Sequence, residues 1–189
     1  MSCVTLISVR VPRVEIVFDP DDRRRREKIL REVAMTGISI TRYPYEEPYH
    51  LNLRIKASNG RTCGELEYYC NVSGLKEFGK QLADFHGGRG EEVNYELGSE
   101  APQDRFAFYL NLAAKAVDSS GHSALFICFN NNAAGADREV SRFAIKANPA
   151  DINRLGALLS GFADLQHRRL DWQVHDGRLI TDDDEHAGI

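Results

Sequence analysis

At 189 residues, with 42% hydrophobic and 28% charged residues, the chain has the size and composition of one soluble domain with extensions, long enough to bury a core without staples. A formal charge of −4 and a pI near 5.9 argue against a dedicated nucleic-acid binder, and no stretch approaches the ~20 apolar residues of a membrane span. Cys3, Cys63, Cys70 and Cys128 form no CxxC and have no histidines at metal-ligand spacing, so they read as thiols of a reducing, cytoplasmic compartment.

Residues 4–18 are rich in Val and Ile, with Pro12 as an interruption, and read as β-structure. In the run that follows, Asp21 and Asp22 precede Lys28 and Arg31, which suits a helix dipole. Only Ile29, Leu30 and Val33 anchor it, so a weakly docked helix is expected. Residues 1–35 thus form an N-terminal extension; with Met35 just before the main pattern, an appendage and a start placed too far upstream both stay open.

The main domain, 36–167, opens with GISITRYP and YHLNLRIKAS. In the latter, Leu51, Leu53, Ile55 and Ala57 alternate with Asn52, Arg54, Lys56 and Ser58, a strand with one dry and one wet face. Asn59-Gly60 signals a hairpin turn. The strand over 61–70 carries Cys63 and Cys70 at opposite parity, hence on opposite sides. A helix over 71–85 then ends in HGGRG, where Gly87 and Gly88 can take the left-handed cap conformation.

The second half begins with Val93, Tyr95 and Leu97 in alternation, then a long strand with Phe106, Phe108, Leu110, Leu112, Ala114 and Ala116 on one side. After a turn at 118–121, ALFICF (124–129) has no wet face and predicts a central strand covered on both sides. NNNAAGAD (130–137) is a polar loop before the strand 138–147. The next helix starts well, with Asn148 as cap, Pro149 in the first position and Asp151 in the first turn. Residues 168–189 read as a small hairpin, with Leu170, Trp172 and Val174 alternating, and an acidic tail.

One pattern is written twice. At an offset of 77 residues (148 − 71), Leu66, Tyr68 and Cys70 fall on Phe143, Ile145 and Ala147, and Leu75, Phe78, Leu82 and Phe85 fall on Ile152, Leu155, Leu159 and Phe162. Asn71/Asn148, Gly79/Gly156, Leu82/Leu159 and Phe85/Phe162 are identical. Each half therefore reads as antiparallel strands followed by one helix across them. The expected fold is two-layer α+β, antiparallel sheet or sheets covered by two helices in a pseudo-twofold strand–helix repeat. One continuous sheet and two packed sheets both stay open, with the ALFICF run favouring something packed over its second face.

Residue chemistry points to no reaction. HGGRG resembles a phosphate-cradling loop, but there a helix closes and a strand opens, the reverse of such loops. No two of the six histidines stand at i+2 or i+4, and a Cys128–His122 pair has no orienting acid nearby in sequence. Asp182–Glu185 and Arg23–Arg26 read as solvated charge. No catalytic residue, metal site or cofactor is expected. The segment Arg42–His50 stands out: it joins two strands and packs Tyr43, Tyr45 and Tyr49, two prolines, Glu46 and Glu47 into nine residues. Either its tyrosines pack over the sheet rim, or Tyr43, Tyr45, Glu46, Glu47, Tyr49 and His50 bind a partner, the acids turning negative potential toward a basic one.

Gly64-Glu65-Leu66-Glu67-Tyr68-Tyr69, Leu75–Phe85, Gly121-His122 and Phe143–Leu159 together resemble the WapI-type immunity family, bacterial proteins of polymorphic toxin systems, over roughly residues 37–165. The resemblance implies a non-enzymatic cytoplasmic protein that binds and neutralises a toxin. Rival readings are a small-ligand binder or enzyme with its pocket between sheet and helices, and a homo-oligomer joined through sheet edges.

Overall fold

Apolar residues at every second position give each strand one dry face. The computed structural model, which describes residues 36–118 and 121–181, gathers these faces into two antiparallel sheets. The first runs β3-β2-β1-β8-β9, with β1 at Thr36–Tyr43, β2 at His50–Asn59, β3 at Cys63–Asn71, β8 at Arg169–Gln173 and β9 at Asp176–Ile180. The second runs β4-β5-β6-β7, with β4 at Glu92–Gly98, β5 at Tyr109–Ala116, β6 at Ser123–Asn130 and β7 at Val140–Lys146. Helix α1 spans Val72–Ala83 and α2 spans Pro149–Phe162. This is the α+β class expected, with two sheets rather than one. The elements expected over 4–35 and the acidic tail from Asp182 lie outside the described residues, as do Ser119 and Ser120.

The sheets approach at one side, where β3 lies against β6 and β7. A Cβ on Gly64 of β3 would stand 2.6 Å from Ser141 of β7, and Asn59 Nδ2 donates to the edge carbonyl of Ala144 (3.2 Å). At the other side the helices close the core: α1 packs on β3 and β4, α2 on β8 and β9, and each on the other. Leu75, Phe78, Leu82 and Phe85 are buried, as are Ile152, Leu155, Leu159 and Phe162. Both expected apolar stripes thus face inward.

The helices touch backbone to backbone. A Cβ on Gly79 would lie 2.8 Å from Ser160 N and 3.0 Å from Gly156 O; one on Gly156 would lie 2.5 Å from Gly79 O and closer still to Ala83 N. The contacts are reciprocal under the 77-residue offset, which carries Gly79 to Gly156 and Ala83 to Ser160. The pseudo-twofold relation therefore passes through this crossing. The same offset carries β4 onto β8, and Val93, Tyr95 and Leu97 onto Leu170, Trp172 and Val174. After α1, β4 pairs with β5 of the second sheet; after α2, β8 pairs with β1 of the first. Each half sends its last strand into the other's sheet. The hairpin beyond residue 167 is accordingly part of the first sheet, with Leu170 and Trp172 in the core.

Some local expectations are corrected. ALFICF is an interior strand but is covered on one side only: the sheets pack through their inner faces, which leaves Phe126 39% exposed with the Lys115 ammonium 5.8 Å from its ring. The strand expected from Phe106 starts at Tyr109, since a 3-10 turn at Pro102–Asp104 and a left-handed Arg105 (φ 54°) break the extended backbone. In HGGRG the left-handed glycines are Gly87 and Gly90, not Gly88. Cys63 is exposed and Cys70 buried, as parity requires.

Asp151 joins α2 to the β8–β9 turn. Its backbone N–H donates to the Asn148 side chain (3.0 Å), and its carboxylate accepts from Asn148 N, Arg154 Nη1 (2.9 Å) and His175 N (3.1 Å). Trp172 Nε1 donates to its carbonyl (3.0 Å). Burial pushes this carboxyl up, but Arg154, the Asn148 N–H and His175 outweigh it and hold it below its ordinary value. A carboxylate so depressed contributes stability above its unfolded pKa of about 4 and loses it as pH falls through the lower folded value. Asp151→Asn is therefore expected to be about 2 kcal/mol less stable than wild type at pH 7, and so to melt lower, with the gap narrowing below about pH 4 in paired thermal scans. In urea titrations, Gly156→Ala is expected to cost about 3 kcal/mol through collision with α1. Gly74→Ala, whose Cβ would meet nothing within 4 Å, is expected to be neutral or to gain about 0.5 kcal/mol.

Candidate functional site

The segment linking β1 to β2 is clamped at its base. Arg42 N donates to Arg168 O (2.8 Å), and its guanidinium donates to His167 O (3.2 Å) and Leu165 O (3.0 Å) while pairing with Glu47. Within the turn, His50 N donates to Glu46 O (3.1 Å), and the His50 ring meets the Glu46 carboxylate at 3.2 Å. Val72 N, the first residue of α1, donates to Tyr49 O (3.1 Å). The backbone is thus tied to β8, to itself and to α1.

The tyrosines divide. Tyr43 is half-buried on the outer face of the first sheet, with the Arg54 guanidinium 5.3 Å from its ring centre. Tyr45 tilts against Tyr69 of β3, ring centres 5.0 Å apart, yet stays 51% exposed, and Tyr49 is 76% exposed. Tyr69 was missed by reading the segment alone; its outward parity on β3 is the signal that places it here. Beneath these rings runs a cross-strand ladder: Arg54 pairs with Glu65 (3.3 Å) and Glu67 (3.4 Å), Lys56 with Glu65 (3.2 Å), and Asn52 donates to Glu67 (3.1 Å). The Glu67 hydrogen bond, with Tyr43 and Glu65, raises Arg54 above its ordinary value. The acids are less available than their adjacency implied: Glu47 faces Arg42, and Glu46 faces His50.

A second arrangement brings together two loops about 30 residues apart, 99–108 and 130–139. The polar run Asn130-Asn131-Asn132 organises both. Asn132 Nδ2 donates to Ser99 O (2.8 Å) and Phe106 O (3.0 Å), and Asn130 Nδ2 donates to Glu100 (3.0 Å), which also pairs with Arg142. Asn131 Oδ1 accepts from Ala133 N (3.1 Å) and Glu139 N (2.9 Å), and its Nδ2 donates to Asp137 O (2.9 Å). Clefts open on both sides of this framework. One of about 320 Å³ is bounded by Arg105, Phe106, Asn132 and Arg138. Another, of about 340 Å³, lies toward β3, bounded by Arg54, Glu67, Phe108 and Glu139. The space between sheets and helices, where a ligand reading would put its pocket, is occupied by core side chains.

The remaining chemical candidates are engaged elsewhere. Contrary to expectation His122 does have an acid close in sequence, Asp118, with which it pairs (2.6 Å); Cys128 sits against Arg142 Nε (3.2 Å) and lies six positions along extended chain from His122, about 20 Å. The HGGRG backbone does cradle an anion, its own: His86 N (3.0 Å) and Gly88 N (2.7 Å) donate to the Glu91 carboxylate and hold it below its ordinary value. Among the described residues no group of three or more His, Cys, Asp or Glu could hold a metal ion, and no helix is long and apolar enough to cross a membrane.

Arg42 is the clamp on which the exposed tyrosines depend. Arg42→Ala is expected to cost about 1–2 kcal/mol and to speed chymotryptic cleavage at Tyr45 and Tyr49 severalfold in the otherwise folded protein, read by mass spectrometry of the first fragments. Compared with models of protein families, with curated proteins and with solved structures, the chain matches none.

Proposed function

We propose that the chain is a protein-binding module that presents Tyr43, Tyr45, Tyr49 and Tyr69 on the outer face of the first sheet. The observation that carries the reading is exposure combined with fixation: two tyrosines project from a turn whose backbone is hydrogen-bonded at both ends. Ordering such rings on binding costs little side-chain entropy, and each offers a large amphipathic contact. Glu46, Glu47 and His50 form the rim. With Glu47 paired to Arg42, charge is secondary to the rings, so the partner need not be basic. The resemblance to WapI-type immunity proteins supplies the partner class, a toxin neutralised in the cytoplasm without enzymatic chemistry.

The test is growth rescue in the native genomic setting. Expression of the adjacent reading frame is expected to arrest growth, and co-expression of this chain to restore it. The Tyr45→Ala/Tyr49→Ala double variant is expected to keep its melting temperature but bind the purified toxin about 30-fold more weakly, a loss of about 2 kcal/mol. Absence of arrest overturns the toxin-neutralising role, and unchanged affinity of the double variant overturns the tyrosine surface.

A further inference from the structure

The loops at 99–106 and 132–138 carry a site that is independent of the tyrosine surface. Arg105 and Arg138 both line one cleft of about 320 Å³, and neither forms an ion pair with a carboxylate among the described residues. The acid in the same cleft, Glu100, is already matched by Arg142 and by Asn130 Nδ2. Two like charges sharing a small concave space repel, and the arrangement gains most from an anion between them. Guanidinium forks suit phosphate and carboxylate oxygens, which they grip in pairs.

The backbones presenting these arginines are fixed in advance. Asn132 ties both ends of the segment that carries Arg105, through Ser99 O and Phe106 O. Asn131 closes the loop that carries Arg138, through Asp137 O and Glu139 N. Little backbone ordering therefore remains to oppose binding. Phe106 follows Arg105 directly, is 51% exposed and borders the same cleft. An exposed aromatic ring beside paired cations calls for a ligand with a flat apolar part next to its charge. The pseudo-twofold leaves the site without a twin: the offset of 77 places residues 99–103 opposite β9, a plain edge strand.

We infer that this cleft binds a small ring-bearing anion, with Arg105 and Arg138 holding its phosphate or carboxylate group and Phe106 packing on its ring. The volume lies at the lower end of small-molecule pockets, which sets the ligand at the size of an aryl or heterocyclic monoanion or dianion.

The test follows backbone amide shifts of the full chain during titration with phenyl phosphate, benzoate and inorganic phosphate. Phenyl phosphate, benzoate or both are expected to saturate shifts confined to residues 99–106 and 131–139, with a Kd of about 1 mM or below. The tighter of the two ring-bearing probes identifies the anionic group. Arg138→Gln and Arg105→Asn are each expected to weaken binding about tenfold; asparagine keeps a residue that tolerates the left-handed backbone at position 105. Phe106→Ala is expected to weaken the ring-bearing probes severalfold and leave inorganic phosphate unchanged. No saturable shift for any probe up to about 10 mM overturns the site, as does undiminished binding in the Arg105→Asn/Arg138→Gln double variant, whose fold its own amide spectrum reports. Equal affinity for inorganic phosphate and phenyl phosphate overturns the role given to Phe106.

Discussion

The close crossing of α1 and α2 at Gly79 and Gly156 is the constraint from which the architecture follows. With no side chain on either residue, each helix approaches the other's carbonyl and amide groups directly. That closeness sets the two halves in one reciprocal orientation. It also decides where each chain segment emerges, α1 beside β4 and α2 beside β8 and β9. Side chains reinforce the crossing from both directions: Asn153 of α2 donates to Leu82 O (2.9 Å) and Phe85 O (2.7 Å) at the end of α1, and Lys76 of α1 reaches Asp164 beyond α2 (2.8 Å). Residues 76 and 153 are equivalent under the 77-residue offset, so one position does the same bridging work with different chemistry.

The frame is nearly symmetric, and the features on which the proposed roles rest lie where symmetry fails. α2 has a full capping box through Asn148 and Asp151; at α1 the equivalent Asn71 makes no side-chain cap, and Gly74 stands where α2 has Asp151. The first half is joined to the second through the 99–108 loop, which the Asn130–Asn132 run holds against the 130–139 loop. The tyrosine turn likewise belongs to the first half alone. A symmetric core fixed by two glycines leaves such peripheral loops free to differ without disturbing the packing beneath them.

Much of this was legible in the residues. Period-two alternation located the strands, and the 3.6-residue stripes of Leu75–Phe85 and Ile152–Phe162 located both helices and their buried faces, because burial of these faces is what the fold requires. Gly79 and Gly156 recur at equivalent positions, but that they mark a close backbone approach emerges only from the helix crossing. Strand partnership was not legible: that β4 joins β5 and β8 joins β1 depends on the helix crossing, which no local pattern encodes. ALFICF misled because Phe126 and Cys128 are apolar on the outer face, where the Lys115 ammonium stands over Phe126 and Arg142 lies against Cys128. The Arg105–Arg138 cleft was invisible because its walls come from two distant loops. The Asn run that builds it reads locally as mere polarity, while its meaning lies in the carbonyls it reaches.

The exchange of last strands has a consequence for how such a chain can be divided. Cut between β4 and β5, neither piece keeps its own sheet: one would lose the strand beside β1, the other the strand beside β5, and both would expose apolar β-faces to water. The two pieces are complete only in each other's company. A polypeptide of half this length with the same strand–helix order would therefore close its core only as an intertwined pair of identical copies, and the single chain is that pair written in tandem.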